Sequence, residues 1–156
     1  ARQAGLIINI TSLAAQFPIP FNAGYNCAKA ALAAASEGLR LELLGTGVRV
    51  VDVQPGDVKT EILRRTRNMD TAVSAAYEPN LSRARTAAST KEAAAIDAER
   101  VAALILKLLV TASPPPRLVI GNTFEQWIAP LGARLLPRRA IEWGQRLTYD
   151  LRASRS

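Results

Sequence analysis

The sequence predicts an α/β chain built on a parallel sheet, and three observations carry that reading. Gly5 to Ser12 is an apolar run that reads as a buried strand ending in two hydroxyls, Thr11 and Ser12. An alanine-rich segment of helical length follows, from about Gly24 to Leu44, with Gly45 and Gly47 as its stop. Val48 to Val53 then reads as a second strand, halted by Pro55-Gly56. A strand-helix-strand unit pairs its strands in parallel, and residues leaving both carboxyl ends gather at one rim, the usual ligand edge of such sheets.

The connection from Leu13 to Gly24 holds Phe17-Pro18-Ile19-Pro20-Phe21, where two prolines stiffen a stretch whose apolar side chains form a pocket wall or a plug over the core. In the helix, Tyr25, Lys29, Leu32, Ser36, Leu39 and Leu43 recur at helical spacing, while Ala28, Ala30, Ala31, Ala33, Ala34 and Ala35 let another helix approach closely. Asp57 to Ala76 has mixed polarity without a period and reads as a loop with a short helical turn at Glu61 to Arg67. Pro79 suits the first turn of a helix running to about Ala94, although Ser89-Thr90-Lys91-Glu92 matches a capping box that would start the next one. Asp97 is the expected N-cap of an amphipathic helix from Ala98 to Thr111, with Val101, Leu104, Ile105 and Leu108 on one stripe. Ser113 to Pro116 breaks the chain before a third strand, Arg117 to Gly121. In the tail, Trp127, Leu131, Leu135, Leu136, Ile141, Trp143 and Leu147 alternate with arginines. They are expected to pack on the core or at an oligomer contact. A membrane surface, with Arg134, Arg138, Arg139 and Arg146 at the headgroups, is the lesser reading because Pro130 and Pro137 interrupt any continuous helix.

The 156 residues, 49% of them hydrophobic, suit one domain with a core. A net charge of +7 raises the question of nucleic acid or anionic membrane. The basic cluster from Lys59 to Arg67 lacks interleaved aromatics, so it reads as a solvated face or an anionic-cofactor contact, and no nucleic-acid partner is expected. Without histidine, and with the single Cys27, no metal site and no internal disulfide are expected. No leader or spanning segment is visible, so a cytoplasmic location is expected. The chain opens on Ala1 and enters a strand almost at once, which suggests a fragment of a longer fold.

The chemistry concentrates in Tyr25 and Lys29. A phenol and an ammonium four residues apart share one helix face, where the positive charge favours the phenolate. That pair gives a chain without histidine an acid/base group near neutral pH. Singly, Ser12 is an ordinary cap, Tyr25 a packing residue and Lys29 a solvated charge; in one constellation with the Pro55-Gly56 turn the catalytic reading outweighs these. Cys27 points off the stripe and is assigned to packing.

With Asn9-Ile10-Thr11-Ser12, then Tyr25 and Lys29-Ala30-Ala31, then Pro55-Gly56-Asp57-Val58-Lys59-Thr60 in this order, the chain resembles the second half of a short-chain dehydrogenase/reductase of the single-domain branch, from Gly5 to about Gly121. The resemblance implies the C-terminal half of a Rossmann-like doubly wound parallel sheet, about three strands with flanking helices. It makes 1–156 a partial dinucleotide-binding oxidoreductase domain, with 57–96 as the substrate loop and 123–156 as a C-terminal extension. It implies hydride transfer between an alcohol or carbonyl and NAD or NADP. Tyr25 would be the acid/base, Lys29 would ease its ionisation and bind the nicotinamide ribose, and Ser12 would hold the substrate oxygen. Pro55 and Gly56 would lie against the nicotinamide, with Val58 and Thr60 at its carboxamide.

The family's glycine-rich turn, its Asn-Asn-Ala-Gly motif and its relay asparagine have no counterpart in this sequence, so the piece alone is expected to be inactive. Thr11 replaces the more usual serine and Ala15 a frequent glycine. The residue that selects NAD over NADP belongs to the same missing part. Phe17, Ile19, Phe21 and the loop from Asp57 to Tyr77 point to a small hydrophobic alcohol or carbonyl as substrate, and the full-length parent is expected to be a homo-oligomer. Competing readings are an epimerase or dehydratase of the extended branch, which the Pro-Gly turn opposes, a non-catalytic dinucleotide sensor or scaffold, and a basic interaction module.

Overall fold

In the computed structural model, which describes residues 4–60, 77–92 and 95–153, the apolar runs form the expected parallel sheet. The elements in chain order are β1 (Ala4–Ile10), a 3-10 turn (Leu13–Ala15), α1 (Ala23–Glu42), β2 (Gly47–Pro55), β3 (Val58–Lys59), α2 (Glu78–Glu92), β4 (Ile96–Asp97), α3 (Ala98–Leu109) and β5 (Arg117–Ile120). A π-helical turn (Phe124–Ile128), α4 (Ala129–Leu135) and α5 (Arg138–Thr148) complete it. The sheet order is β1-β2-β5, all parallel, with Ile10 opposite Val53 and Pro55 opposite Ile120. Gly45 stops α1 by taking φ +80, a conformation that glycine adopts without a Cβ penalty.

The central strand β2 separates two different interiors. Val51 and Val53 point to an apolar core with Ile96, Leu108 and Ile120, against which Leu6, Ile8, Val101, Leu104 and Leu118 pack. Each such fully buried side chain contributes roughly 1.5–3 kcal/mol. The alternate residues, Asp52 and Gln54, are equally buried but polar. Asp52 lies in register with Asn9, whose amide donates to the Ser36 hydroxyl at 2.9 Å, so α1 covers this second face. Ser36 in turn donates to the Leu32 carbonyl at 2.7 Å, which satisfies a fully buried hydroxyl.

Several expectations change. β1 is not a buried strand: Ile7 and Ile10 are 38% and 39% exposed, because among the described residues β1 pairs on one side only. Of the six alanines expected to let another helix approach, Ala33 alone is buried within this chain, whose inner helix face is the stripe from Lys29 to Leu43. Ser89 and Thr90 continue α2 rather than starting a helix, their hydroxyls bonding back to the Thr86 carbonyl. Asp97 takes the N-cap position of α3 without a side-chain cap bond, because its carboxylate pairs with Lys59 at 2.9 Å. That pairing accompanies the unforeseen two-residue ladder of β3 with β4. The expected turn at Glu61 to Arg67 lies outside the described residues. The tail does not cover the core: Trp127, Leu131, Leu135, Leu136, Trp143 and Leu147 are each more than half exposed and only Ile141 is half-buried. Pro130 at the start of α4 and Pro137 before α5 divide the tail into two short helices that meet each other and the π-helical turn, while α3 seals the core. No described helix is long and apolar enough to cross a membrane.

Candidate active site

β1 ends at the rim where Thr11 and Ser12 are buried. Ser12 leaves the strand in extended conformation and caps the 3-10 turn, its Oγ accepting the Ala14 N–H at 3.0 Å. One lone pair is thereby used, and its O–H has no acceptor among the described residues. Thr11 is tied beneath it: its N–H donates to the Val53 carbonyl at 2.8 Å and its hydroxyl to the Asp52 carboxylate. Gln54 donates to the other Asp52 oxygen at 2.7 Å, Arg117 reaches the same oxygen at 3.2 Å, and Gln16 donates to Gln54. These polar groups fix the floor under Ser12, and reading Val48 to Val53 simply as a second strand did not reveal them.

The helix α1 brings its first two turns to the same end of β1. Lys29 Nζ donates to the Ile10 carbonyl at 2.9 Å and stands 5.7 Å from the centre of the Tyr25 ring. Tyr25 itself is 41% exposed, so its phenol faces open space beside that ammonium. The approach is held by Asn26, which both donates to and accepts from the Ile19 backbone, at 2.8 and 3.0 Å. Phe17 and Ile19 are half-buried in that connection, and Phe21, in the left-handed region at φ 60, sets its ring edge-on to Tyr77 at 6.5 Å. Cys27 is exposed, which corrects its assignment to packing: at two positions from Tyr25 it falls on the outer side of α1.

The Pro55-Gly56 turn closes β2 at the adjoining part of the rim, the Gly56 N–H donating to the Ile120 carbonyl at 2.8 Å. Val58 packs its side chain against the core from β3, and Thr60 is exposed immediately after. A residue not foreseen joins this turn to β5. Glu125 accepts the Asp57 N–H at 3.3 Å and the Asn122 N–H at 3.0 Å, while its own N–H donates to Asn122 Oδ1 at 3.0 Å. Asn122-Thr123-Phe124-Glu125 has the capping-box pattern, a signal present in the sequence. Burial, followed by the Asp57 and then the Glu125 carboxylates, pushes the Tyr149 phenol up to about 12. Among the described residues no group of His, Cys, Asp and Glu is arranged to hold a metal ion.

The parallel α/β fold is one that known proteins share. Residues 1–71 match the short chain dehydrogenase family model. The NADPH-dependent 1-acyldihydroxyacetone phosphate reductase of Schizosaccharomyces pombe is 42% identical over 79 residues, 51% of this chain and 26% of that protein. Sulfoacetaldehyde reductase 2 of Chromohalobacter salexigens is 35% identical over 129 residues, 79% of this chain and 45% of that protein. The crystal structure of a short-chain dehydrogenase from Streptomyces avermitilis shares the fold, with a TM-score of 0.66 at 24% identity over 97% of this chain and 53% of that one. The chain belongs to the short-chain dehydrogenase/reductase family. It spans 26% and 45% of the lengths of the two curated relatives.

Proposed function

We propose that the protein carrying this chain is an NAD(P)-dependent oxidoreductase that interconverts an alcohol and a carbonyl, with Ser12, Tyr25 and Lys29 as its catalytic set. The observation that carries the reading is the Lys29 ammonium, anchored on the Ile10 carbonyl at 2.9 Å and 5.7 Å from the Tyr25 ring. In reduction Tyr25 gives its phenolic proton to the substrate oxygen, and in oxidation it takes that proton back. The positive charge of Lys29 stands beside the ring on which negative charge then develops. Ser12, whose O–H has no acceptor among the described residues, donates to the substrate oxygen and stabilises the charge forming there.

The residues fit the nicotinamide half of a dinucleotide. Lys29 spends one N–H on Ile10 and keeps two for ribose hydroxyls. Pro55 and Gly56 offer a low, side-chain-poor surface and Thr60 an exposed hydroxyl. When bound, NAD(P)(H) supplies or accepts the hydride. The S. pombe relative, by name NADPH-dependent, supports this choice of cofactor. Phe17, Ile19 and Phe21 on the approach to Tyr25 support an apolar substrate.

Turnover by the whole protein tests the set. Tyr25→Phe should lower kcat about 100-fold or more while dinucleotide affinity stays close to wild type. Unchanged turnover in that variant removes Tyr25 from its role, and tight dinucleotide binding without turnover in the wild type would make the protein a sensor. The 156-residue chain by itself has no glycine-rich turn for the pyrophosphate and should neither turn over nor bind dinucleotide tightly. Oxidation of any alcohol by the isolated chain with NAD⁺ or NADP⁺ would refute that.

A further inference from the structure

We infer that Glu125 is a positioning residue that clamps the Pro55–Asp57 turn in the shape that receives the nicotinamide end of the cofactor. The inference rests on the oxidoreductase reading for its consequence, and on Glu125's own contacts for its geometry. Capping the π-helical turn would occupy only one carboxylate oxygen, Oε2, on the Asn122 N–H. The second oxygen, Oε1, leaves that turn and accepts the Asp57 N–H at the end of β2, 68 residues away in sequence. One side chain thus bridges the ends of two adjacent parallel strands with charge-assisted bonds to backbone.

Two glycines make room for it. A Cβ built on Gly56 would stand 2.5 Å from Oε2, and one on Gly121 2.5 Å from Oε2 and 2.7 Å from Glu125 Cβ. Any side chain at either place evicts the carboxylate. At Gly56 the Cβ direction is thus filled by the Glu125 carboxylate, which must shift if a side chain is placed there. Because the carboxylate grips Asp57, directly after the turn, its loss frees the turn without removing any group that touches the ligand.

The test compares wild type, Glu125→Gln and Glu125→Ala in the whole protein, and adds Gly56→Ala in the wild-type and Glu125→Ala backgrounds. Glu125→Ala should raise the KM for dinucleotide about tenfold, with a smaller change in kcat, since charge-assisted hydrogen bonds are lost from a binding turn. Glu125→Gln keeps the shape and one acceptor oxygen, and should recover part of that loss. Amide hydrogen exchange at Asp57 and Asn122 should speed up in Glu125→Ala. Gly56→Ala should raise KM sharply in wild type but add less in Glu125→Ala, where its methyl finds space. Unchanged KM and unchanged exchange in Glu125→Gln and Glu125→Ala, or additive effects of the Gly56 change, overturn the clamp. If Glu125→Ala does not fold, the KM and exchange of Glu125→Gln decide alone. Normal turnover in Tyr25→Phe would defeat the oxidoreductase reading and leave the exchange result to judge the clamp.

Discussion

At the scale of single residues, the chain hides its charged and polar groups where they organise backbone. Asp52 is fully buried, yet it is satisfied by Thr11, Gln54 and the half-exposed Arg117. Stranding such a carboxylate by removing its partners costs about 3–5 kcal/mol, which is why this network fixes geometry more than it adds stability. Tyr149 is the group whose ionisation reports on the fold. Its phenol is buried, carries the Lys91 ammonium over its ring at 4.5 Å, and is raised from 10.0 to about 12 by burial and by the Asp57 and Glu125 carboxylates. Below pH 10 the phenol is neutral in both folded and unfolded chain, so its contribution to stability is fully present. Between pH 10 and about 12 the unfolded chain has already released the proton that the folded chain retains, and stability falls as pH rises. The loss levels off above the folded value, after roughly 3 kcal/mol. Urea denaturation of wild type and Tyr149→Phe across this range should give a steeper alkaline decline for wild type. Parallel profiles would show that the phenol is free to ionise in the folded protein.

At the scale of elements, periodicity was legible wherever one face met a single kind of neighbour. The stripe of Val101, Leu104, Ile105 and Leu108 marked α3 because its one partner is the apolar core. The helix face of Lys29, Ser36 and Leu43 was legible as the inner side of α1, with Tyr25 at its exposed end. What escaped the sequence was set by tertiary partners. β3 and β4 have two residues each and exist only through each other, so neither carries a pattern. The interior around Asp52 and Gln54 was invisible because alternation in β2 predicts which side chains share a face, not that a buried face is polar. Glu125 could have been found by its capping-box spacing to Asn122, but its bond to Asp57 depends on the register of β2 and β5. In the tail, two short helices divided at Pro137 leave most of the apolar residues off the core of this chain, and the expected oligomer contact for them is a separate matter of partners.

At the scale of the whole molecule, surface area is the informative quantity. The chain exposes 10790 Å² for 16.8 kDa, whereas a folded monomer of that mass exposes roughly 7,700 Å² by the usual scaling. Among the described residues, part of the exposed surface is apolar. Ile7 and Ile10, on opposite faces of β1, are exposed, and Trp127, Leu131, Leu135, Trp143 and Leu147 stand out from the tail helices. A parallel edge with no partner strand among the described residues and exposed apolar side chains both drive association, while the net charge of +7 opposes it. Salt therefore discriminates between forces: it screens the repulsion and leaves the apolar attraction, so the isolated 156-residue chain should self-associate more strongly as ionic strength rises. An electrostatic attachment to an anionic partner would weaken instead. Ile7→Lys, which sets a charge on the β1 edge, should reduce association without touching the core. Sedimentation velocity over a range of protein and salt concentrations measures this, and one monomeric species throughout would mean that the exposed edge and tail drive no association.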